Sequence, residues 1–558
     1  MKKTKSFILN LTSHFTSLIP TFISRILCFA SLFTLSIELI AENAIKLTWP
    51  DDFRNASLYE GKLIELNQIL YVTNISNWNK YGEITLSSKR LMSPTDVALP
   101  GSAEYRSIVS ANEMDQLILS DGSSKLYPNP RPWTGDKDYI RTGAYTMKVV
   151  GRFTIEEYGY TITPTEVPVF EGNERPMEVV GLGDYDVKVC GFNLQIYIAT
   201  EWDGDYGPAS KEESDKQHAK IVKALAAIDA DVFGLVEVQQ GQVALEKLAN
   251  ALNALDPSAQ YAYINDGTQV YGTYTKAGYL YKASKVKPLR QLQSNDTGVK
   301  HRKKAQGFEV LATGERFVYM INHFKAKSGK GSGDNADKGD GQGTYNGDRV
   351  REATAVVTFT KSCATYFGDE DVLVMGDLNA YSMEDPIRKF TDVGYVHLIK
   401  QFAEDEGYSY VYRGAVGCLD YALANGSMEK QVTGCKVFHI NADEAAVFGY
   451  DGYSYQNNMY RSSDHDPVVV GLRLGVGTQT GQVDMEGDRI VYGGEGVIGV
   501  ASAEGCVMEI YTLMGQRVYS EKIESNDYTV STADIGLKEG IYIVKLSDGD
   551  VVKLRVEN

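Results

Sequence analysis

The stretch from Val187 to Val236, which opens Val187-Lys188-Val189-Cys190-Gly191-Phe192 and closes Val232-Phe233-Gly234-Leu235-Val236, decides the fold of this chain. Both ends are short apolar runs of strand length, and the second reads as a buried strand. Between them Ile221, Val222, Leu225 and Ile228 fall on one face at helical spacing, and Ser214 with Gln217 reads as the capping box of that helix. Strand, helix, strand begins an α/β pattern, and the alternation continues to about Leu474.

On either side the text changes. From about Ser57 to Phe170, short alternations such as Ile64–Leu66, Ile69–Val72 and Tyr145–Phe153 are punctuated by Gly and Pro, the pattern of an all-β module. At the start, Lys2, Lys3, Lys5 and Arg25 precede an apolar run from Ile26 to Ala41 that is brief for a bilayer and reads as a long signal peptide. Beyond Leu474, Gly475 to Gln482 has linker composition, and Val507–Tyr511, Arg517–Tyr519 and Gly540–Leu546 suggest a small β-sandwich. The expected organisation is a signal peptide over 1–41, a β domain over 42–180, the α/β domain over 184–474, a linker over 475–485 and a terminal β unit over 486–558.

At 558 residues the chain needs several cores, and its net charge of −17 argues against a protein that coats polyanions by general basicity. Any nucleic-acid site must be a local basic patch or a bound cation on an acidic body. With Cys28 in the signal, Cys190, Cys363, Cys418, Cys435 and Cys506 remain. They show no CxxC pair and no zinc spacing, so they read as packing residues with one candidate disulfide, Cys418 to Cys435.

The α/β segment carries polar residues at its strand ends. Asn193 follows the first strand and Glu237 the second, an amide oxygen and a carboxylate that suit Mg²⁺. Val372-Leu373-Val374-Met375-Gly376-Asp377-Leu378-Asn379 ends in two polar groups that period two places on one face. Gly417-Cys418-Leu419-Asp420-Tyr421 and Ser462-Ser463-Asp464-His465-Asp466-Pro467 complete the set. A histidine with an acidic partner is what a general base needs, because the carboxylate fixes the tautomer and stabilises the imidazolium. Each element alone is an ordinary polar turn; together they describe hydrolysis of a phosphodiester, which needs charge neutralisation, a base and phosphate donors.

These five segments, in this order, resemble the endonuclease/exonuclease/phosphatase superfamily, which includes pancreatic-type deoxyribonucleases and abasic-site endonucleases, over about Asp184 to Leu474. The resemblance implies a four-layer α/β sandwich of the deoxyribonuclease I type. It implies Asn193, Glu237 and Asp464 as metal contacts for Mg²⁺, with Mn²⁺ or Ca²⁺ as alternatives. His465 is implied as the base oriented by Asp420, and Asp377 and Asn379 as the pair that positions water and phosphate. His323, at the end of Val318-Tyr319-Met320-Ile321-Asn322-His323-Phe324-Lys325, is implied as a phosphate contact or acid, with Asp266 as a guessed partner. Two positions depart from the pattern: Val238-Gln239 stand where a second acidic residue is usual, and Tyr421 replaces a histidine.

The Gly- and Asp-rich run from Lys325 to Gly343, followed by Asn346 and Arg349, resembles the large extracellular bacterial nucleases of that superfamily and implies DNA, or RNA, as substrate. Lys325, Lys327 and Arg349 are then candidate phosphate contacts, as is the patch Lys300-His301-Arg302-Lys303-Lys304. The N-terminal module resembles the OB-fold domain that precedes such nucleases, with Tyr71, Trp78, Tyr81 and Trp133 as candidate stacking rings. The segment from Val507 to Asn558 resembles the sorting domain of the type IX secretion route, implying that machinery as a partner and an extracellular or surface location. Two readings compete with a nuclease: a phosphoesterase of the same fold acting on a lipid headgroup, inositol phosphate or nucleotide, and a non-catalytic nucleic-acid-binding protein.

Overall fold

The computed structural model describes residues 43–200, 202, 206–267, 275–403, 407–475, 482–484, 490–494, 497–501, 503–512, 515–538, 540–549 and 551–556. The expected signal peptide and most of the expected linker lie outside the described residues. The strand Gln482–Asp484, at the end of the linker range, pairs with Ile490–Gly494.

The α/β domain is built on two six-stranded sheets. In the first, the order is 261–263, 275–282, 232–239, 187–197, 468–472, 432–437; in the second it is 286–294, 303–310, 316–323, 372–377, 420–424, 396–397. Alternation along Val187–Tyr197 explains the layering. Val187 and Val189 face the second sheet, in a core shared with its Tyr319, Leu373 and Met375. Cys190, Phe192 and Leu194 point the other way, onto Ile221, Leu225 and Ile228 of helix Lys211–Ile228. Helix Asn346–Phe367 covers the far side of the second sheet, giving helix, sheet, sheet, helix. Burial of each large aliphatic side chain contributes about 1.5–3 kcal/mol.

Glycine sets the spacing between the layers. A Cβ on Gly234 would lie 2.4 Å from Tyr319 Oη, and one on Gly307 2.6 Å from the Phe367 ring. The space at Gly234 lets Tyr319 cross between the sheets and donate to Cys190 O at 2.7 Å.

The capping box sits one turn earlier than the sequence suggests. Ser210 caps the helix, its Oγ accepting from Glu213 N at 3.2 Å while Glu213 Oε2 accepts from Ala209 N at 2.8 Å. Ser214 and Gln217 are buried inside the helix instead, donating to Ile198 O and to Gln195 O. Cys418 and Cys435 are buried free thiols, which corrects the candidate disulfide.

The N-terminal module is an eight-stranded sheet over Trp49, Phe53, Trp78 and Phe153. It is not all-β: helix Ala103–Met114 starts at Ser102, whose Oγ accepts from Tyr105 N at 3.0 Å. Trp78 and Trp133 are core residues rather than free rings. The module is fused to the α/β domain, since Ala445, Val447 and Phe448 complete its core and its strand Leu91–Met92 pairs with Ala415–Gly417. The last described residues form two four-stranded sheets on a common core that includes Ile498, Val500, Ile510 and Leu546.

Candidate active site

Register brings the polar strand ends together. In the second sheet His323 lies opposite Asp377, and Asp377 opposite Asp420, so three neighbouring strands present one row of functional groups. The first sheet adds Asn193 and Glu237 where its ladder is irregular, with register shifts after Asn193 and after Leu235. Glu237 (φ 59°) and Asn379 (φ 49°) are held in the left-handed region, a cost of order 1–3 kcal/mol each that surrounding bonds must sustain.

Those bonds are visible. Glu237 Oε2 accepts from Ile196 N at 2.8 Å. Asp377 Oδ2 accepts from Asn193 Nδ2 and from Asn379 Nδ2, both at 3.1 Å, and its Oδ1 accepts from Asn379 N at 2.9 Å. His465 Nδ1 bonds Asp420 Oδ2 at 2.7 Å, and its Nε2 lies 4.0 Å from Asp377 Oδ2. His323 Nε2 lies 3.6 Å from Glu237 Oε1 and 3.7 Å from Asp377 Oδ2. Asp266 is not its partner, because that carboxylate is held by Lys276, Lys304 and Gln242.

The two histidines are pushed in opposite directions. Burial pulls the His465 imidazole down, but Asp420, Asp377 and Asp464 outweigh it and hold it well above the usual value. Burial, with the cations Arg302 and His465, holds His323 well below it. Such divergent environments give one residue a strong appetite for a proton and leave the other neutral. Burial, and then the charge of Asp464, raises Glu237, and burial with Asp420 beside it pushes Asp377 up to about 7 against the pull of His465.

A divalent cation fits these donors. Asp377, Asp420 and His465 offer ligand atoms within 4.8 Å of one another, and the buried Asp420 Oδ1 has no hydrogen-bond partner. Mutual repulsion between Glu237 and Asp464 is also what a cation relieves. Of the expected contacts, Asn193 bonds Asp377, Glu237 lies 3.6 Å from His323, and Asp464 acts electrostatically on Glu237 and His465.

The expected phosphate contacts divide. Lys325 is half-buried, with Nζ 4.4 Å from the Tyr345 ring. Lys327 is ion-paired with Glu384. Arg349 is fully buried and donates to the carbonyls of Gln342, Thr344 and Lys325, so it shapes the loop. Of the patch 300–304, Lys303 and Lys304 are buried in pairs with Glu352 and Asp266; Arg302 acts on both Glu237 and His323.

Other residues were not apparent from sequence. Tyr410 packs its ring 4.7 Å from that of His465. Ser409 Oγ accepts from Leu419 N and Asp420 N, and Asn441 Nδ2 donates to His465 O. Gln239, where a second acid is usual, instead holds Ala199 and Thr200, and the hydroxyl of Tyr421 donates to Ala380 O and Cys418 O. Tyr410 and Ser409 carry no motif, and only the fold reveals the pairing of Asn441 with His465 and of Ser463 Oγ, which donates to Asn193 O at 2.7 Å.

Residues 190–465 match the model of the Endonuclease/Exonuclease/phosphatase family. Among solved structures, similar chains include an endonuclease/exonuclease/phosphatase from Bacteroides vulgatus (14% identity, 52% of this chain and 98% of that one, TM-score 0.36). The human Nocturnin catalytic domain with bound sulfate is also similar (14%, 52% and 95%, TM-score 0.34), as is a mannosyl-6-phosphatase from Bacteroides thetaiotaomicron (16%, 51% and 99%, TM-score 0.33). No curated protein matches the chain.

Proposed function

We propose that the protein is an exported, divalent-cation-dependent nuclease that cleaves DNA internally by in-line attack of water on the phosphodiester. The observation that carries the reading is the His465–Asp420 pair facing Asp377, with Asn193, Asn379, Glu237 and His323 around it. Asp420 fixes the proton on Nδ1 and leaves Nε2 to take the proton of the attacking water. Asp377, itself fixed by Asn193 and Asn379, orients that water, and neutral His323 donates to a phosphate oxygen. Mg²⁺ or Mn²⁺ held by Asn193, Glu237 and Asp464, which leaves His465 Nε2 free, would supply positive charge for the phosphate and the departing oxygen. The choice of nucleic acid over other phosphoesters rests on Lys325, on Arg302 and on the resemblance of the loop that follows His323. Export rests on the 1–41 signal and on the 486–558 unit as cargo of the type IX machinery.

The test is nicking of supercoiled plasmid with Mg²⁺ or Mn²⁺, beside sphingomyelin and phosphoinositide release. Early conversion to open circles, lost with EDTA and in His465→Ala, supports the reading. Release of headgroup or inositol phosphate without nicking assigns the site to another phosphoester.

A further inference from the structure

A groove of about 610 Å³ runs between the N-terminal module and the α/β domain, bordered by Tyr127, Tyr412, Tyr453, Lys80, Arg413 and Asn79. A second hollow of about 790 Å³ shares Asn79, Tyr127 and Tyr453 and extends it toward Arg131 and Lys137. The groove's lining residues Val411 to Gly414 follow Tyr410 directly in the chain. Tyr410, whose ring packs on His465, shares a face of its short strand with Tyr412, roughly 7 Å further along.

Three tyrosines on its walls are exposed, in contrast to the tryptophans of the N-terminal module. Tyr453 is 83% exposed, Tyr412 52% and Tyr127 50%, whereas Trp78 and Trp133 are buried in the core. Tyr127 and Tyr453 meet edge to face with centroids 6.0 Å apart, and the Arg413 guanidinium lies 5.3 Å from the centre of the Tyr412 ring. Tyr127 (φ 55°) and Arg413 (φ 51°) are held in a left-handed conformation that side chains rarely adopt, and Tyr127 is kept there by a bond from its N to Lys80 O. The lining cations are Lys80, Arg413, Arg131 and Lys137. Glu444 is neutralised by Arg141 and Arg175, and Lys137 is paired with Glu174, which leaves Asp451 and Asp138 against Lys80, Arg413 and Arg131.

We propose that this groove binds single-stranded nucleic acid, stacking bases on Tyr412, Tyr127 and Tyr453 while the cations follow the backbone, and feeds the strand to His465 or receives it from there. Exposed rings interleaved with cations are the chemistry of sequence-tolerant strand binding. A neutral oligosaccharide would use the rings and leave the cations without a role. The proposal rests on the nuclease reading of the neighbouring site.

The test is fluorescence anisotropy of a labelled oligothymidine of about fifteen nucleotides in EDTA, where no cleavage confounds binding. The intact chain is compared with Tyr412→Ala/Tyr453→Ala, with Tyr453→Trp and with Arg413→Glu, each checked for unchanged thermal unfolding. Affinity should fall at least roughly tenfold in the double alanine variant and in Arg413→Glu, and should hold or rise in Tyr453→Trp. Equal affinity of the folded double variant and the parent overturns the proposal, as does binding of cellohexaose in place of the oligothymidine. Plasmid nicking measured on the same samples reports the nuclease reading separately. Nicking with unchanged oligothymidine binding sinks the groove alone; groove binding without nicking sinks the nuclease alone.

Discussion

At the scale of single residues, the site is a set of polar groups that would be costly to bury alone and are affordable only together. His465 needs Asp420 for its tautomer, and Asp377 needs Asn193 and Asn379 to remain oriented. His465→Ala should lower hydrolysis by roughly 10²–10⁴-fold, and Asp420→Asn by a similar order, measured as single-turnover rates with saturating Mg²⁺. Gly234 shows the other kind of necessity. A Cβ there would collide with Tyr319 Oη at 2.4 Å, so Gly234→Ala should cost about 1–3 kcal/mol in urea unfolding. The sequence showed the polar row because its residues stand at the ends of apolar runs. It could not show Tyr410, which reaches His465 from a strand distant from it in the chain.

At the scale of elements, the alternation from Val187 to Leu474 was legible because buried strands and amphipathic helices have different periods. Boundaries were less so. Ser210-Lys211-Glu212-Glu213 and Ser214-Asp215-Lys216-Gln217 both satisfy the capping pattern, and the fold chooses the first because Ser214 and Gln217 are needed inside to satisfy the irregular strand end at Leu194–Ile198. Ser210→Ala should therefore lower stability by about 1 kcal/mol through the cap. Arg349 is ambiguous in sequence for a related reason. An arginine in a helix beside a Gly-rich loop looks the same in sequence whether it faces a ligand or binds three carbonyls of that loop.

At the scale of the molecule, the N-terminal module is part of the active site's support. Its Asp96 accepts from Ser382 N and Cys418 N, and its Thr95 donates to Glu384, bracing the loops after Asp377 and before Asp420. Its Arg90 and Arg141 hold Asp443, on the segment whose Asn441 supports His465. The fragment 184–474 alone should accordingly be inactive and lower-melting than the chain with its module, by calorimetry and plasmid nicking. Burial alone would raise the Asp443 carboxyl, but Arg90 and Arg141 win and lower it from 3.8 to about 2. That pair therefore adds roughly 2 kcal/mol above pH 4 that is lost as pH falls toward 2, and Asp443→Asn should flatten stability across that window. The central claim, that the clustered strand ends hydrolyse nucleic acid, is tested most directly by plasmid nicking with Mg²⁺ or Mn²⁺ by the parent and by His465→Ala. Nicking by the parent that disappears in the variant is the predicted result; intact plasmid with both proteins, or equal cutting by both, would contradict it.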